Sequence, residues 1–161
     1  QNSGGASPLS YLAALIYTLT VGEAEGVISR LNLPTDWARV VRSTVELKQM
    51  GPRLADPSLL NSQLVEIVEG YTNDALSTVA KVTESSTVAE RLERYLEELR
   101  QLSPVLDGRA LMALGVPKGP VMGKILKELR NAKLDGRVSG AEDKKRIALE
   151  FLAQGEQIGK E

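Results

Sequence analysis

Apolar residues recur in this chain every three or four positions nearly from end to end, and alternating apolar–polar runs are scarce. That spacing gathers the apolar side chains of a helix on one face. It predicts an all-α fold: a bundle of about nine helices, with no sheet. Pro8 opens a first helix carrying Leu9, Leu12, Ile16 and Leu19. Thr20 and Glu23 stand at capping-box spacing ahead of Val27, Ile28 and Leu31. After the break "NLPTDW", Thr35 or Asp36 caps a helix through Trp37, Val40, Val41, Val45 and Leu47, and "MGPRLADP" breaks the chain again. Ser58 starts a helix ending at Gly70, and Thr72 starts another through Leu76 and Val79. Thr87 and Glu90 form a second capping box for a helix with Val88, Leu92, Tyr95, Leu96, Leu99 and Leu102 on one face. Glu90 with Arg94, and Arg94 with Glu98, stand as i,i+4 pairs on the other. Ser103-Pro104 stops that helix. A short one runs over 108–114, and Ser139 with Glu142 caps a last one through Ile147, Ala148, Phe151 and Leu152. The expected organisation is a flexible leader over 1–7, a helical body over 8–103 and a helical tail over 104–161.

Aromatic residues are 4% of the chain, so the core must be built from Leu, Val, Ile and Ala. A chain of 161 residues buries about 70% of its unfolded surface, enough for such a core. There is no cysteine, which removes disulfides, thiolate metal ligands and thiol nucleophiles. There is no histidine, so the commonest general base and metal ligand are missing. The apolar run "YLAALIYTLT" is too short to cross a membrane and lacks the flanks of a signal peptide. The expectation is a cytoplasmic protein with no membrane partner. The start at Gln1, followed by "NSGGASP", reads as a cut out of a longer polypeptide.

The segment "LMALGVPKGPVMGKILKELRNAKLDG", residues 111–136, breaks the helical pattern with two prolines and four glycines. Pro120 fits the first position of a helix, where its missing N–H costs nothing. Gly119 is then the N-cap, and Gly115 ends the helix before it. Winding the second helix at 100° per residue puts Met122, Ile125, Leu126, Leu129 and Ala132 on a core face. Gly123, Lys124, Lys127, Arg130 and Asn131 fall away from it. Charge is segregated in the same way. Residues 1–106 carry nine Lys and Arg against thirteen Asp and Glu, net −4, while residues 107–137 carry seven against three, net +4. A helix–turn–helix with open backbone amides and flanking lysines suits a phosphate chain, read by its backbone rather than its bases. The same residues also read as a stiff helix connection with an ordinary solvated lysine face.

"LDGRALMALGVPKGPVMGKILKELRNAKLDGRVSGAEDKKRIALEFL", residues 106–152, resembles the carboxy-terminal region of bacterial tRNA nucleotidyltransferases of the poly(A) polymerase family. Gly108, Arg109, Leu111, Leu114, Gly115, Pro117, Gly119, Pro120, Gly123, Leu126, Leu134, Asp135 and Gly136 fit that family's pattern. Ala110 departs from it, standing where the family usually has Asp. Upstream, "LNLPTDWARVVRSTVEL", "DPSLLNSQLVEIVEGYTNDAL" and "RLERYLEELR" resemble the helical body preceding that region, so the resemblance extends over most of residues 27–152.

The resemblance implies a body and tail that follow a catalytic head and neck. In the family the head adds nucleotides with two metal ions, which implies Mg2+ and ATP or CTP for the parent protein and no cofactor for this stretch. No Asp-x-Asp occurs here, so no residue is assigned a catalytic or metal-binding role. The partners implied are tRNA or another RNA and the amino-terminal head of the same polypeptide. The residues implied to hold RNA are Arg109, Gly115, Lys118, Gly119, Gly123, Lys124, Lys127 and Arg130. The alternative is a helical protein–protein interaction or oligomerisation module without RNA binding. A small complete enzyme would need a polar pocket, for which only Tyr11, Tyr17, Tyr71, Tyr95 and scattered carboxylates offer themselves.

Overall fold

A computed structural model describes residues 8–102, 108–113, 115–138, 140, 142–143, 146–147 and 149–150. The helices are α1 (Pro8–Ile16), α2 (Val21–Arg30), α3 (Thr35–Gln49), α4 (Gly51–Leu54), α5 (Asn61–Val68), α6 (Asn73–Val82), α7 (Ser86–Glu97), α8 (Gly108–Ala113) and α9 (Pro120–Leu134). A 3-10 turn spans Leu99–Gln101, and no strand occurs among the described residues. The protein is all-α, as the periodicity predicts. It divides into two compact units, Gln1–Leu59 with Gln63–Arg100, and Leu60–Ser62 with Gln101–Glu161.

In the first unit α3 packs against α1, α2 and α6, and α6 packs against α7. Ile16, Ala24, Ile28, Ala38, Val41 and Val45 form one buried cluster, with Leu12, Leu19, Val27 and Leu33 half-buried against it. Val40 and Leu47 of α3, Leu76 and Val79 of α6, and Val88 and Leu92 of α7 are also buried. Apolar area removed from water at about 25 cal/mol per Å² is what holds these short helices, since helices of this length are marginal on their own.

Several local signals act as read. Thr20 accepts from the Glu23 amide while Glu23 accepts from the Thr20 amide, closing the capping box of α2. Thr72 caps α6 by accepting from the Ala75 amide. Others differ. α3 starts after Pro34 with no side-chain cap, so neither Thr35 nor Asp36 serves; both lie inside its first turn. "MGPRLADP" is not a plain break, because Gly51–Leu54 makes a helical turn that buries Leu54 completely. Arg91 of α7 donates to the Leu54 carbonyl at the end of that turn. Ser58 does not start α5: its amide and hydroxyl both donate to Asp56 Oδ1, at 2.8 and 2.7 Å. α7 is capped by Ser85, whose hydroxyl accepts from the Val88 amide, so Thr87 lies inside the helix. Of the two ion pairs expected on α7, Arg94–Glu98 forms at 3.4 Å.

In the second unit α8 packs on α9. Leu111, Val116, Ile125 and Leu129 form its buried cluster, with Met122, Leu126 and Ile147 half-buried against it. Ser103, Pro104, Leu114, Ser139, Ala148, Phe151, Leu152 and the leader over 1–7 lie outside the described residues.

Candidate nucleic-acid interface

α8 ends in a Schellman motif. Gly115 takes φ +90°, its amide donates to the Met112 carbonyl at 3.0 Å, and the Val116 amide donates to the Leu111 carbonyl at 3.0 Å. Leu111 and Val116, the two apolar residues this motif brings together, are both buried. Gly119, at φ +145°, is the N-cap of α9 and Pro120 is its first residue. α9 ends in a second Schellman motif, in which Gly136 (φ +71°) donates to the Lys133 carbonyl and Arg137 donates to the Ala132 carbonyl. Three of the four glycines therefore stand where L-residues with side chains rarely go.

Gly123 is different. It is helical, exposed and free of positive φ, and a Cβ there would meet nothing within 4 Å. The fold gives no reason for it. It lies opposite the buried Ile125, Leu129 and Ala132, sharing that side of α9 with Lys127 and Arg130, while Lys124 stands at its flank. Lys118, Lys124 and Lys127 are exposed and Arg130 is half-buried. Arg109 is exposed on α8. The surface carrying Gly115, Pro117, Lys118, Gly119, Pro120, Gly123, Lys124 and Lys127 is open to solvent throughout.

The amides at this helix start are fewer than an open row. Met122 and Gly123 both donate back to the Gly119 carbonyl, at 3.1 and 3.4 Å. Those of Lys118, Gly119 and Val121 donate to no backbone carbonyl among the described residues. The turn thus holds three N–H groups with no backbone acceptor among the described residues, at the positive end of a fifteen-residue helix dipole, an arrangement that suits an anion.

One residue of the motif has a role that spacing did not reveal. Asp135 accepts from the Ser62 amide at 2.8 Å and from the Ser62 hydroxyl at 2.9 Å. Its side chain is only 4% exposed, and Arg137 stands 3.4 Å away. Ser62 sits in the first turn of α5, where amides lack helical partners, so Asp135 caps α5 from 73 positions along the chain. Asn61 donates to the Leu134 carbonyl at 2.9 Å, filling an acceptor left open at the end of α9. No local pattern signals either bond; only the Leu-Asp-Gly triplet itself marks the place.

Among the described residues no three acidic side chains converge to hold a metal ion. None of the described helices is long and apolar enough to cross a membrane.

No protein family's sequence profile matches the chain, and no solved structure matches it. A CC-adding tRNA nucleotidyltransferase of Thermus thermophilus is 33% identical to it over 87 residues. That stretch is 53% of this chain and 20% of the relative, so the match spans about a fifth of the relative's length. The likeness supports kinship with the tRNA nucleotidyltransferases over about half of the chain.

Proposed function

We propose that this chain is the body and tail of a tRNA nucleotidyltransferase-type protein and holds RNA by its backbone. A catalytic head elsewhere in the polypeptide would add nucleotides to the 3′ end, drawing on Mg2+ and ATP or CTP. The observation that carries the reading is Gly123: a glycine the fold does not need, on the open face of α9 beside Lys124, Lys127 and Arg130. Bare backbone at that point lets a sugar-phosphate strand approach α9 closely, while the cations and the turn amides neutralise phosphates. Such contacts carry no base information, which suits a partner recognised by shape. The Thermus relative's name supplies the partner class, tRNA.

Fluorescence anisotropy with a labelled tRNA transcript tests the reading. The chain should bind, with affinity that falls as salt rises at a log–log slope of roughly −2 to −3 for about three phosphate contacts. Lys118→Glu with Lys124→Glu should lower affinity at least tenfold, about 1.4 kcal/mol. Affinity unmoved by that double change would remove the site from this turn.

A further inference from the structure

The outer face of α2 carries a second bare strip, of different chemistry. Gly22 and Gly26 stand one helical turn apart, and a Cβ at either would meet nothing within 4 Å. Each weakens a ten-residue helix without relieving any crowding inside the chain. Between and beside them runs a groove of about 420 Å³ lined by Leu19, Gly22, Glu23, Gly26, Val27 and Arg30. Where α9 presents cations beside its glycine, this groove is bordered by Val27 of α2 and by Leu19 just ahead of it, both half-buried. That is a surface for a helix, not for a phosphate chain.

The charges on the groove say which helix. Glu23 and Arg30 lie two turns apart on this face, of opposite sign, at either end of the Gly26–Val27 step. Glu23 spends Oε2 on both bonds from Thr20, so Oε1 stays available. The Arg30 guanidinium makes no ion pair or hydrogen bond with another described residue. A two-fold axis through the middle of this face superposes each charge on its opposite.

We propose that the groove receives α2 of a second copy of this chain, antiparallel, with Glu23 facing the partner's Arg30 and Arg30 facing the partner's Glu23. The interface is isologous, and the two bare glycine strips let the backbones come close. A helix of ten residues is about 15 Å long. The contact therefore falls in the small, transient class of interfaces, with a dissociation constant of roughly 10–100 μM. The proposal rests on α2 alone and stands whether or not α9 binds RNA.

Sedimentation equilibrium of the 161-residue chain, loaded from about 5 to 500 μM to bracket that range, is the test. A reversible monomer–dimer equilibrium is expected. Gly26→Leu should fill the groove and weaken dimerisation at least tenfold while raising the melting temperature, because Leu is the better helix former. The opposite signs separate loss of the interface from loss of the fold. Arg30→Glu should also weaken the dimer, less so at high salt. The chain has no cysteine, so Gly26→Cys is a clean reporter and should cross-link into a homodimer under mild oxidation. A chain that stays monomeric throughout overturns the proposal. So does a dimer indifferent to Gly26→Leu and Arg30→Glu, or one in which Gly26→Cys fails to cross-link.

Discussion

Gly119 and Gly123 stand four residues apart in one motif, yet physical chemistry assigns them opposite duties. Gly119 holds φ +145°, so a side chain there is strained and Gly119→Ala should destabilise the second unit by about 1 kcal/mol or more. Gly123 sits in ordinary helix with open space beyond it, so Gly123→Ala should stabilise by about 0.5–1 kcal/mol. If the sugar-phosphate approach is right, that same methyl should reduce RNA affinity, on the order of tenfold. Urea unfolding and anisotropy on one protein sample read the two effects. A Gly123→Ala chain that gains stability and binds RNA as before would leave this glycine without a function. Asp135 makes the complementary case of a residue fixed by the fold. Asp135→Ala strips the acceptor from the Ser62 amide and hydroxyl and should cost about 1–3 kcal/mol. Asp135→Asn, which retains a carbonyl oxygen for the amide, should cost less than half of that in the same urea titration.

The elements show what was legible in the sequence and what was not. Where a helix end is decided within a few residues, reading it worked: Thr20 with Glu23, Thr72, Gly115, and Gly119 with Pro120 all act as their spacing indicates. Where two candidates compete locally, spacing alone chose wrongly. Ser85 takes the cap that Thr87 resembles, and Asp56 captures the hydroxyl and amide of Ser58 in a turn. Where the partner is remote, nothing could have been read, as with Asp135 capping α5. The core face of α9 was legible, since Ile125, Leu129 and Ala132 are buried as the 100° winding places them. Its basic face was legible as a pattern only, because no spacing tells a solvated lysine from a phosphate ligand. The locally decided contacts have a pH signature. The Thr20 amide and hydroxyl hold the Glu23 carboxyl below its usual range, the Arg42 guanidinium does the same for Glu25 at 2.5 and 2.8 Å, and the Ser58 hydroxyl and amide do so for Asp56. A depressed folded-state pKa binds fewer protons than the unfolded chain, so its stabilisation is complete above the ordinary carboxylate pKa of about 4.3 and fades as pH falls through the folded value. The melting temperature should therefore be flat from pH 8 to about 5 and fall below about 4.5. Glu23→Gln should lower the plateau and flatten the descent in a scanning-calorimetry series.

At the scale of the whole molecule the net charge is −1, yet residues 107–137 carry +4 and residues 1–106 carry −4. A phosphate chain meeting the basic segment is attracted over contact distances and repelled by the acidic remainder over longer ones. Salt separates the two. The screening length is about 30 Å at 0.01 M and about 8 Å at 0.15 M, so added salt extinguishes the long-range repulsion before it touches the contacts. Counterion release at the contacts then sets the slope at higher salt. The plot of log affinity against log salt should consequently be curved: shallow below about 0.05 M, and steepening towards the slope set by the contacts above it. A uniformly basic binder of equal contact number would instead be straight across the range. Exchanging Glu93 and Glu97, both exposed on α7, for Gln should raise RNA affinity at the low-salt end and leave the high-salt limb in place. Anisotropy titrations from 0.01 to about 0.3 M on both proteins decide it. A straight line for the unaltered chain would mean that the acidic body exerts no long-range repulsion, and a parallel shift at every salt concentration in the variant would mean that it touches the RNA rather than only steering it away.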